Sequence, residues 1–461
     1  MNQINPQATI AFRSTMTSSN PAYIEGTDLH FELSSRIGFG GQGEVYRVVD
    51  HPNYAIKLLK KSDDLKRIEF VSRLDLQDLA VVPPIATVRC GDRFGYLMEL
   101  AEDMSTLAPA LFRHWKFIDT SIDLTNEDSD FYLQSGGLKR RLKIAATVAS
   151  TLASLHSQSL IYADLNPNNV MISRDPRETV TLLIDTDNLT FASRADRAFH
   201  FDGYAAPEVD STLATSLTDA YSLAVITFQL LVLSHPFSGM ASADFSAEEV
   251  IEAILEFRFP YVLNPKDKSN WLPPQRQRLA DLVLSKGIQN IALQTFSEGL
   301  NNPAARPGVK RWRDTLFGAL DNVLSCPGGC GWTFYRKLTV PFTCPSCKHE
   351  VSDATVLLIA PAAVRVQDAY RSLVLNRDTT NEILPRHLWA EYSNTTPVLN
   401  ITFESGVFHI EDHGDVTITD KKTGKRVTQA KSHKGGEGRE LLVQVANQPD
   451  RVIKFMDLTK T

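Results

Sequence analysis

The chain has 461 residues, 43% of them hydrophobic and 22% charged, and a net charge of −6. That is the composition of a soluble globular protein, and the length suggests roughly two to four domains. An acidic balance argues against general nucleic-acid binding, which runs on excess Lys and Arg, and leaves room only for a local basic patch.

The first residues, MNQINPQATIAFRSTMTSSN, lack the basic start and apolar run of a signal peptide. The longest apolar stretch, SLAVITFQLLVL at 222–233, is too short to span a bilayer and reads as a buried helix. A cytoplasmic protein without a membrane segment is expected.

In chain order, residues 1–30 read as an extended or partly disordered lead-in. From 31 to about 100, β-like runs dominate: GEVYRVVD, YAIKLLK, ATVRC and FGYLMEL. One helical pattern, DDLKRIEFVSRL, interrupts them. Residues 119–137 are acidic and end in Gly-Gly, which predicts an exposed insertion with solvated charges. LKRRLKIAATVASTLASLH then repeats apolar residues at helical spacing. Two more β-like runs follow, NVMIS and TVTLLID, and the stretch from about 216 to 320 is mostly helical. A strand-rich lobe followed by a helix-rich lobe is an α+β arrangement, with a natural ligand site in the cleft between them.

Four of the five cysteines fall together, and beyond them SLVLN, VLNITFE, VFHIED, DVTITD, ELLVQV and RVIKF alternate as strands do. The expected division is 1–30 as extension, 31–322 as the bilobal unit, 323–352 as a cysteine module and 353–461 as a β-rich domain.

Candidate chemistry begins at IGFGGQGEVYRV. Gly38, Gly40 and Gly43 give G-x-G-x-x-G, with Val45 just after. They lie between β-like runs, which disfavours a dinucleotide-binding turn before a helix. YAIK follows, ending in Lys57. Glycines let backbone N–H groups approach phosphates, and a lysine on the next strand can reach them. Such a lysine needs a carboxylate to hold it. Glu69, on the predicted helix, is the best placed; Asp63 and Asp64 sit near the helix start, where capping explains them.

In LIYADLNPNNVMIS, Asp164 is placed to orient the proton of an attacking hydroxyl, and Asn169 to hold a metal ion. LLIDTDN brings Asp185 out of an apolar run, a suitable ligand for Mg²⁺ or Mn²⁺. Asp187, two residues on, either helps a second metal or caps a turn; the turn is the preferred reading.

Residues 31–320 resemble a eukaryotic-like (Hanks-type) Ser/Thr protein kinase of the bacterial kind. Tyr204-Ala205-Ala206-Pro207-Glu208 looks like the motif that closes the activation segment. Asp219 looks like the aspartate that braces the catalytic loop, and Arg306 like the late arginine that pairs with Glu208. Met98 and Glu99 look like the gatekeeper and first hinge residue, where adenine would bind. The resemblance implies a bilobal kinase fold, ATP with Mg²⁺ or Mn²⁺, and γ-phosphate transfer to a Ser or Thr hydroxyl of a protein.

There are departures. Tyr162 replaces the usual His, a packing position. Ala163 replaces the Arg that pairs with an activation-segment phosphate, which implies no need for that phosphorylation. Asn166 replaces a γ-phosphate Lys, Thr186-Asp187 replaces Phe-Gly, and Phe201 stands where a Thr commonly contacts the nucleophile side. The preferred reading is an active, atypical kinase; the alternative is a nucleotide-binding pseudokinase scaffold. The Asp-x-Asp-Asn sequence is also similar to that of bacterial kinases linked to tellurium-resistance clusters.

CPGGCGWTFYRKLTVPFTCPSC presents Cys326, Cys330, Cys344 and Cys347 as C-x₃-C and C-x₂-C. Two thiolate pairs suit tetrahedral Zn²⁺ with no open position. The module resembles a zinc ribbon, with a structural or protein-contact role favoured over nucleic-acid binding despite Trp332, Arg336 and Lys337 nearby. His349 reads as a surface residue, and Cys90 as a small buried one. NRDTTNEILPRHLW gives the β domain a faint resemblance to a forkhead-associated domain, although that family's glycine and Ser-Arg-x-His are missing. The resemblance implies phosphothreonine binding, and the domain is expected to bind a protein substrate or regulatory partner. The basic stretch 421–434 reads as a solvated hairpin turn.

Overall fold

The structure is a computed structural model and describes residues 21–60, 65–111, 126–193, 203–209, 213–364, 371–434 and 438–458. Asp63, Asp64 and Phe201 lie outside the described residues.

The first lobe is an antiparallel sheet of β1 (Ala22–Ile24), β2 (His30–Phe31), β3 (Leu33–Phe39), β4 (Gly43–Val48), β5 (His51–Leu59), β6 (Ala86–Cys90) and β7 (Arg93–Glu99). Its order is β2-β1-β6-β7-β5-β4-β3. The lead-in expected over 1–30 is therefore corrected at its end: Tyr23 pairs with Arg89 and Ile24 with Val88. Three residues are too few to show a period of two, so the strand leaves no pattern in the sequence. Cys90, at the end of β6, is only half-buried.

Alternation along β5 decides which side chains face where. Ile56 and Leu58 pack with Ala22, Leu33, Val48, Val88 and Leu97 on one face. Lys57 and Leu59 take the other face, where Leu59 packs with Tyr96 and with Ile68 of the short helix α1 (Leu65–Val71). Two glycines permit the close strand spacing. A Cβ on Gly43 would sit 2.4 Å from the Leu58 carbonyl oxygen, and one on Gly95 would sit 2.1 Å from that of Lys57.

The second lobe opens with β8 (Met104–Thr106), α2 (Ala108–Leu111), α3 (Asn126–Gln134) and α4 (Gly137–Ser157). Helix α3 corrects the expected exposed insertion at 119–137 over its described part, residues 126–137; residues 119–125 lie outside the described residues. Tyr132 is buried and stacks on Trp332 of the cysteine module at 6.1 Å, so this segment has an apolar partner supplied from far along the chain. Short strands β9 (Leu160–Ile161), β10 (Val170–Ser173), β11 (Thr181–Leu183) and β12 (Thr190–Phe191) carry the loops of the site.

Helix α5 (Ser216–Val232) is buried along nearly its whole length, as expected of a helix apolar on all sides. It starts at Thr215, whose hydroxyl accepts from the Leu217 and Thr218 N–H groups, a reciprocal cap. Around it lie α6 (Ala247–Leu255), α7 (Pro274–Val283), α8 (Lys286–Phe296), α9 (Glu298–Asn301) and α10 (Val309–Leu320). One continuous core joins α4, α5, α7, α8 and α10.

The cysteine module is two small hairpins, β13 (Val323–Ser325) with β14 (Thr333–Tyr335) and β15 (Phe342–Thr343) with β16 (Glu350–Val351). The remaining elements are β17 (Thr355–Pro361), β18 (Arg371–Leu375), β19 (Asn381–Ile383), α11 (Pro385–Trp389), β20 (Leu399–Glu404), β21 (Val407–Asp412), β22 (Val416–Asp420), β23 (Gln429–Ala430), β24 (His433–Lys434), β25 (Leu441–Val445) and β26 (Arg451–Asp457). They form a six-stranded and a four-stranded sheet whose inner faces share one core, including Leu357, Ile401, Phe408, Leu441 and Phe455. This is a β-sandwich.

Buried Asp321, just past α10, ties the sandwich to the helical lobe. It accepts from Arg386 at 2.8 Å and from His387 Nε2 at 3.2 Å, while its backbone carbonyl accepts the Val374 N–H at 2.8 Å. His387 Nδ1 accepts from the Leu384 N–H at 2.9 Å, so the proton lies on Nε2, facing Asp321.

Candidate active site

The site is assembled around Lys57. Its ammonium donates to Asp187 Oδ2 at 3.0 Å, Asp185 Oδ1 at 3.1 Å and Gln42 Oε1 at 3.1 Å. Lys57 is only 3% exposed. Burial pulls its pKa down, but Asp187 and Asp185 pull it up, and the net lies above the ordinary lysine value.

Glu69 is not in this cluster, which corrects its expected role as the partner of Lys57. Helix α1 spans only seven residues, the Glu69 side chain is half-buried, and its carbonyl accepts from Ser72. Asp187 takes the position instead. It does sit in a 3₁₀ turn, Thr186–Asn188, yet its side chain faces the lysine rather than capping the turn. The turn is fixed by the Thr186 hydroxyl, which donates to the Val82 carbonyl at 3.0 Å.

The catalytic-loop segment lies beside it. Asn166 Nδ2 donates to Asp164 Oδ1 at 3.0 Å, and Asn188 Nδ2 reaches Asp164 Oδ2 at 3.4 Å. Asn169 Nδ2 donates to the Asp164 carbonyl at 2.9 Å, and the Ile184 N–H to the Asn169 carbonyl at 2.9 Å. These bonds link Asp164, Asn169 and the segment that runs from β11 to Asp185 into one unit. Burial raises the Asp164 pKa to about 7, against the lowering effect of its bond from Asn166.

Two braces hold the loop. Asp219, 2% exposed, accepts the Tyr162 and Ala163 N–H groups at 2.9 Å each and bonds His156 Nε2 at 2.9 Å. Ala163 has φ +69°, a left-handed conformation that those bonds hold in place. Tyr162 is fully buried, and its hydroxyl donates to the Ile184 carbonyl. The residue standing for the usual His thus ties the loop to the residue before Asp185, beyond simple packing. Further out, Arg306 holds Glu208 in a two-pronged pair at 2.8 and 3.1 Å.

Gly38 and Lys57 both pair with Val45 across β4, and Gln42 brings the glycine turn into contact with the Lys57 ammonium. Met98 and Glu99 end β7 opposite Ala55 and Tyr54. Gly40 lies in the turn itself, with open space where a Cβ would point.

The match to the family model described as the protein kinase domain covers residues 31–293, more than half of the chain. The chain belongs to the protein kinase family. Its fold is that of a Hanks-type kinase, followed by the cysteine module and the β-sandwich. Serine/threonine-protein kinase PknD of Chlamydia abortus is 26% identical over 45% of this chain and 24% of its own length. Protein kinase YegI of Escherichia coli K12 is 24% identical over 45% of this chain and 32% of its own length. Human ribosomal protein S6 kinase alpha-2 is 29% identical over 45% of this chain and 28% of its own length. The chain therefore spans about a quarter to a third of the relatives it matches.

A second cluster lies in the cysteine module. The sulfurs of Cys326 and Cys347 are 3.6 Å apart, those of Cys330 and Cys344 3.7 Å, and all four lie within 4.8 Å of one another. Four sulfurs about 2.3 Å from a central zinc would be about 3.8 Å apart, so the spacing fits a tetrahedral ion. His349 is not part of this set.

In the sandwich, Arg377 bonds Asp353 and Thr355, and Arg386 and His387 bond Asp321. The basic groups behind the resemblance to a forkhead-associated domain are all engaged within the protein. Among the described residues, no helix is long and apolar enough to cross a membrane.

Proposed function

We propose that the chain is an ATP-dependent protein kinase that transfers the γ-phosphate to a Ser or Thr hydroxyl of a protein. The observation that carries this is Asp164, held at both carboxylate oxygens and linked through Asn169 and Ile184 to the Asp185–Lys57 pair. The amides of Gly38–Gly43 and the Lys57 ammonium bind the phosphates. The backbone at Met98 and Glu99 receives adenine beneath Val45. Asp164 orients the attacking hydroxyl and accepts its proton, and a pKa near neutrality suits that task.

Asn169 and Asp185 would hold Mg²⁺ or Mn²⁺. Their fit rests on the donor set: Asn169 uses its amide nitrogen on Asp164, leaving a side-chain oxygen, and Asp185 gives one carboxylate oxygen to Lys57, leaving the other. Oxygen donors suit these hard cations. The ion supplies charge neutralisation on the phosphate oxygens.

The four cysteines would hold Zn²⁺ as a structural ion, a use of thiols typical of a reducing, cytoplasmic compartment. The β-sandwich is the unit we assign to a protein substrate or regulatory partner; its own core and its attachment through Asp321 support that role.

The test is transfer of labelled γ-phosphate from ATP, with Mg²⁺ or Mn²⁺, to the chain itself and to a generic acceptor. Label is expected with the wild type and absent with Asp164→Ala and Asp185→Ala. Equal labelling in all three would refute the reading. Nucleotide binding with no transfer, in the presence of the natural neighbour proteins, would favour the pseudokinase scaffold.

A further inference from the structure

We propose that Asp187 is the fixed counter-charge of Lys57, aligning the phosphate-binding lysine without help from helix α1 and leaving Asp185 free for the metal ion. The inference rests on the kinase reading above and deepens it.

Three observations carry it. The first is burial. The Asp187 side chain is 6% exposed and that of Asp185 30% exposed, yet both meet the same ammonium at 3.0 and 3.1 Å. A buried lysine charge needs a partner that stays when the other contacts change, because an uncompensated buried charge is strongly destabilising. Asp185 is the wrong candidate for that duty, since it is partly exposed and its second carboxylate oxygen is the one assigned above to the metal ion. Asp187 is enclosed.

The second is attachment. Asp187 lies in the middle of the 3₁₀ turn whose flanks are tied down, Thr186 to Val82 and Asn188 to Asp164. A change in the placement of Asp187 would therefore be felt at Asp164. The third is the bonding of Asp187 itself. Its Oδ2 holds Lys57, while its Oδ1 is buried without a hydrogen-bond partner. A buried carboxylate oxygen left unpaired is costly. That unpaired oxygen fits a group whose role is its charge towards Lys57 rather than turn capping, which would have used it.

Glu69 has no part in this arrangement. A kinase that aligns its lysine through a carboxylate on the same turn as its metal ligand has no need to swing a helix inward to become competent. Lys57, Asp187 and Asp185 form one unit, of which only Asp185 must change partners when nucleotide and metal arrive.

The experiment uses the full chain and four variants: Lys57→Met, Asp187→Asn, Glu69→Gln and the double Lys57→Met/Asp187→Asn. Melting curves first establish that each variant is folded. Two readouts follow. One is affinity for ADP without metal, together with kcat/KM for ATP. Asp187→Asn is expected to lose about a hundredfold in kcat/KM, the scale for one lost electrostatic stabiliser. Glu69→Gln is expected to stay within about twofold, and the double variant to be no worse than Lys57→Met, because residues acting as a unit are not additive.

The other readout needs no activity. Acylation of Lys57 by an amine-directed reagent, followed by mass spectrometry, is expected to speed up about tenfold in Asp187→Asn and to stay unchanged in Glu69→Gln, because removing Asp187 releases the ammonium from the enclosed contact that holds it. Faster acylation in Asp187→Asn supports the pairing even where the wild type transfers no phosphate, which separates failure of this inference from failure of the kinase reading. Unchanged acylation in Asp187→Asn, or a Glu69→Gln loss matching that of Lys57→Met, overturns it. So does an Asp187→Asn effect confined to the Mn²⁺ activation constant, which would make Asp187 a metal ligand.

Discussion

Asp219→Ala tests whether the catalytic loop is held as described. Asp219 accepts two backbone N–H groups, from Tyr162 and Ala163, and bonds His156. Tyr162 is fully buried, so water does not replace the lost acceptor easily. Leaving a buried donor unsatisfied costs about 1–3 kcal/mol. Two donors give roughly 2–5 kcal/mol after partial relaxation, a large share of a typical 5–15 kcal/mol. The release is also local. Ala163 is held at φ +69°, and a non-glycine residue there is strained by roughly 1–2 kcal/mol. Without its brace it relaxes towards a right-handed conformation and carries Asp164 out of place. The assay is hydrogen exchange of the peptide containing Tyr162 and Ala163, alongside urea unfolding followed by tryptophan fluorescence. Protection is expected to fall by at least tenfold, the urea midpoint to drop, and phosphate transfer to be lost. Asp219→Asn retains one acceptor oxygen and is expected to fall between. A variant with wild-type protection and a midpoint shift worth under about half a kcal/mol would refute the reasoning.

Three further outcomes are expected. Arg306→Ala removes the two-pronged pair to Glu208 and the bonds Arg306 donates to the Gly299 and Leu217 carbonyls, and is expected to destabilise the helical lobe by about 3–5 kcal/mol in urea unfolding. Arg306→Lys retains charge but loses the fork and is expected to rescue only part of this. Metal analysis is expected to find one zinc per chain and less in Cys344→Ser; chelation is expected to speed exchange in β17 and β18, because Val356 and Val374 pack against the cysteine hairpins. Acid is expected to destabilise the fold through His235. Its Nε2–H donates to the Gly203 carbonyl, its Nδ1 accepts from the Phe237 N–H, and burial depresses its pKa from 6.5 to about 4. The unfolded chain takes up the proton first, so stability is full above pH 6.5 and declines as pH falls towards 4, with about 2 kcal/mol lost by pH 5. A His235→Asn variant whose unfolding midpoint has the same acid slope would exclude this source.

The sequence was informative where chemistry and local period coincide. Gly38, Gly40, Gly43 and Lys57 are close in the chain, and alternation along β5 puts Lys57 inside, so the glycine turn beside a buried lysine could be read directly. The order Asp164, Asn169, Asp185 is likewise a local spacing between apolar runs. What could not be read was which carboxylate meets the lysine. Asp187 lies 130 residues from Lys57 and Glu69 only twelve; spacing favours the nearer residue, while the folded arrangement of two distant segments decides for the other. The only available sign was the second aspartate in LLIDTDN. Helix α3 was missed for a related reason: its acidic residues suggested a solvated loop, but Tyr132 finds its partner in Trp332, 200 residues on. Arg386 and His387 suggested a ligand site on the sandwich, and their partner Asp321 belongs to the end of the preceding lobe.

Asp321 bears on how the last domain can work. A domain on a slack tether samples a wide volume, and its binding acts through local concentration alone. Here the sandwich is clamped at a buried carboxylate immediately after α10, a helix that lies in the same core as α4 and α5. A partner bound to the sandwich, as proposed above, would therefore be presented in a restricted geometry relative to the cleft. Target choice would then be a matter of stature, with a segment of the wrong span never lining up however tightly its other end is gripped.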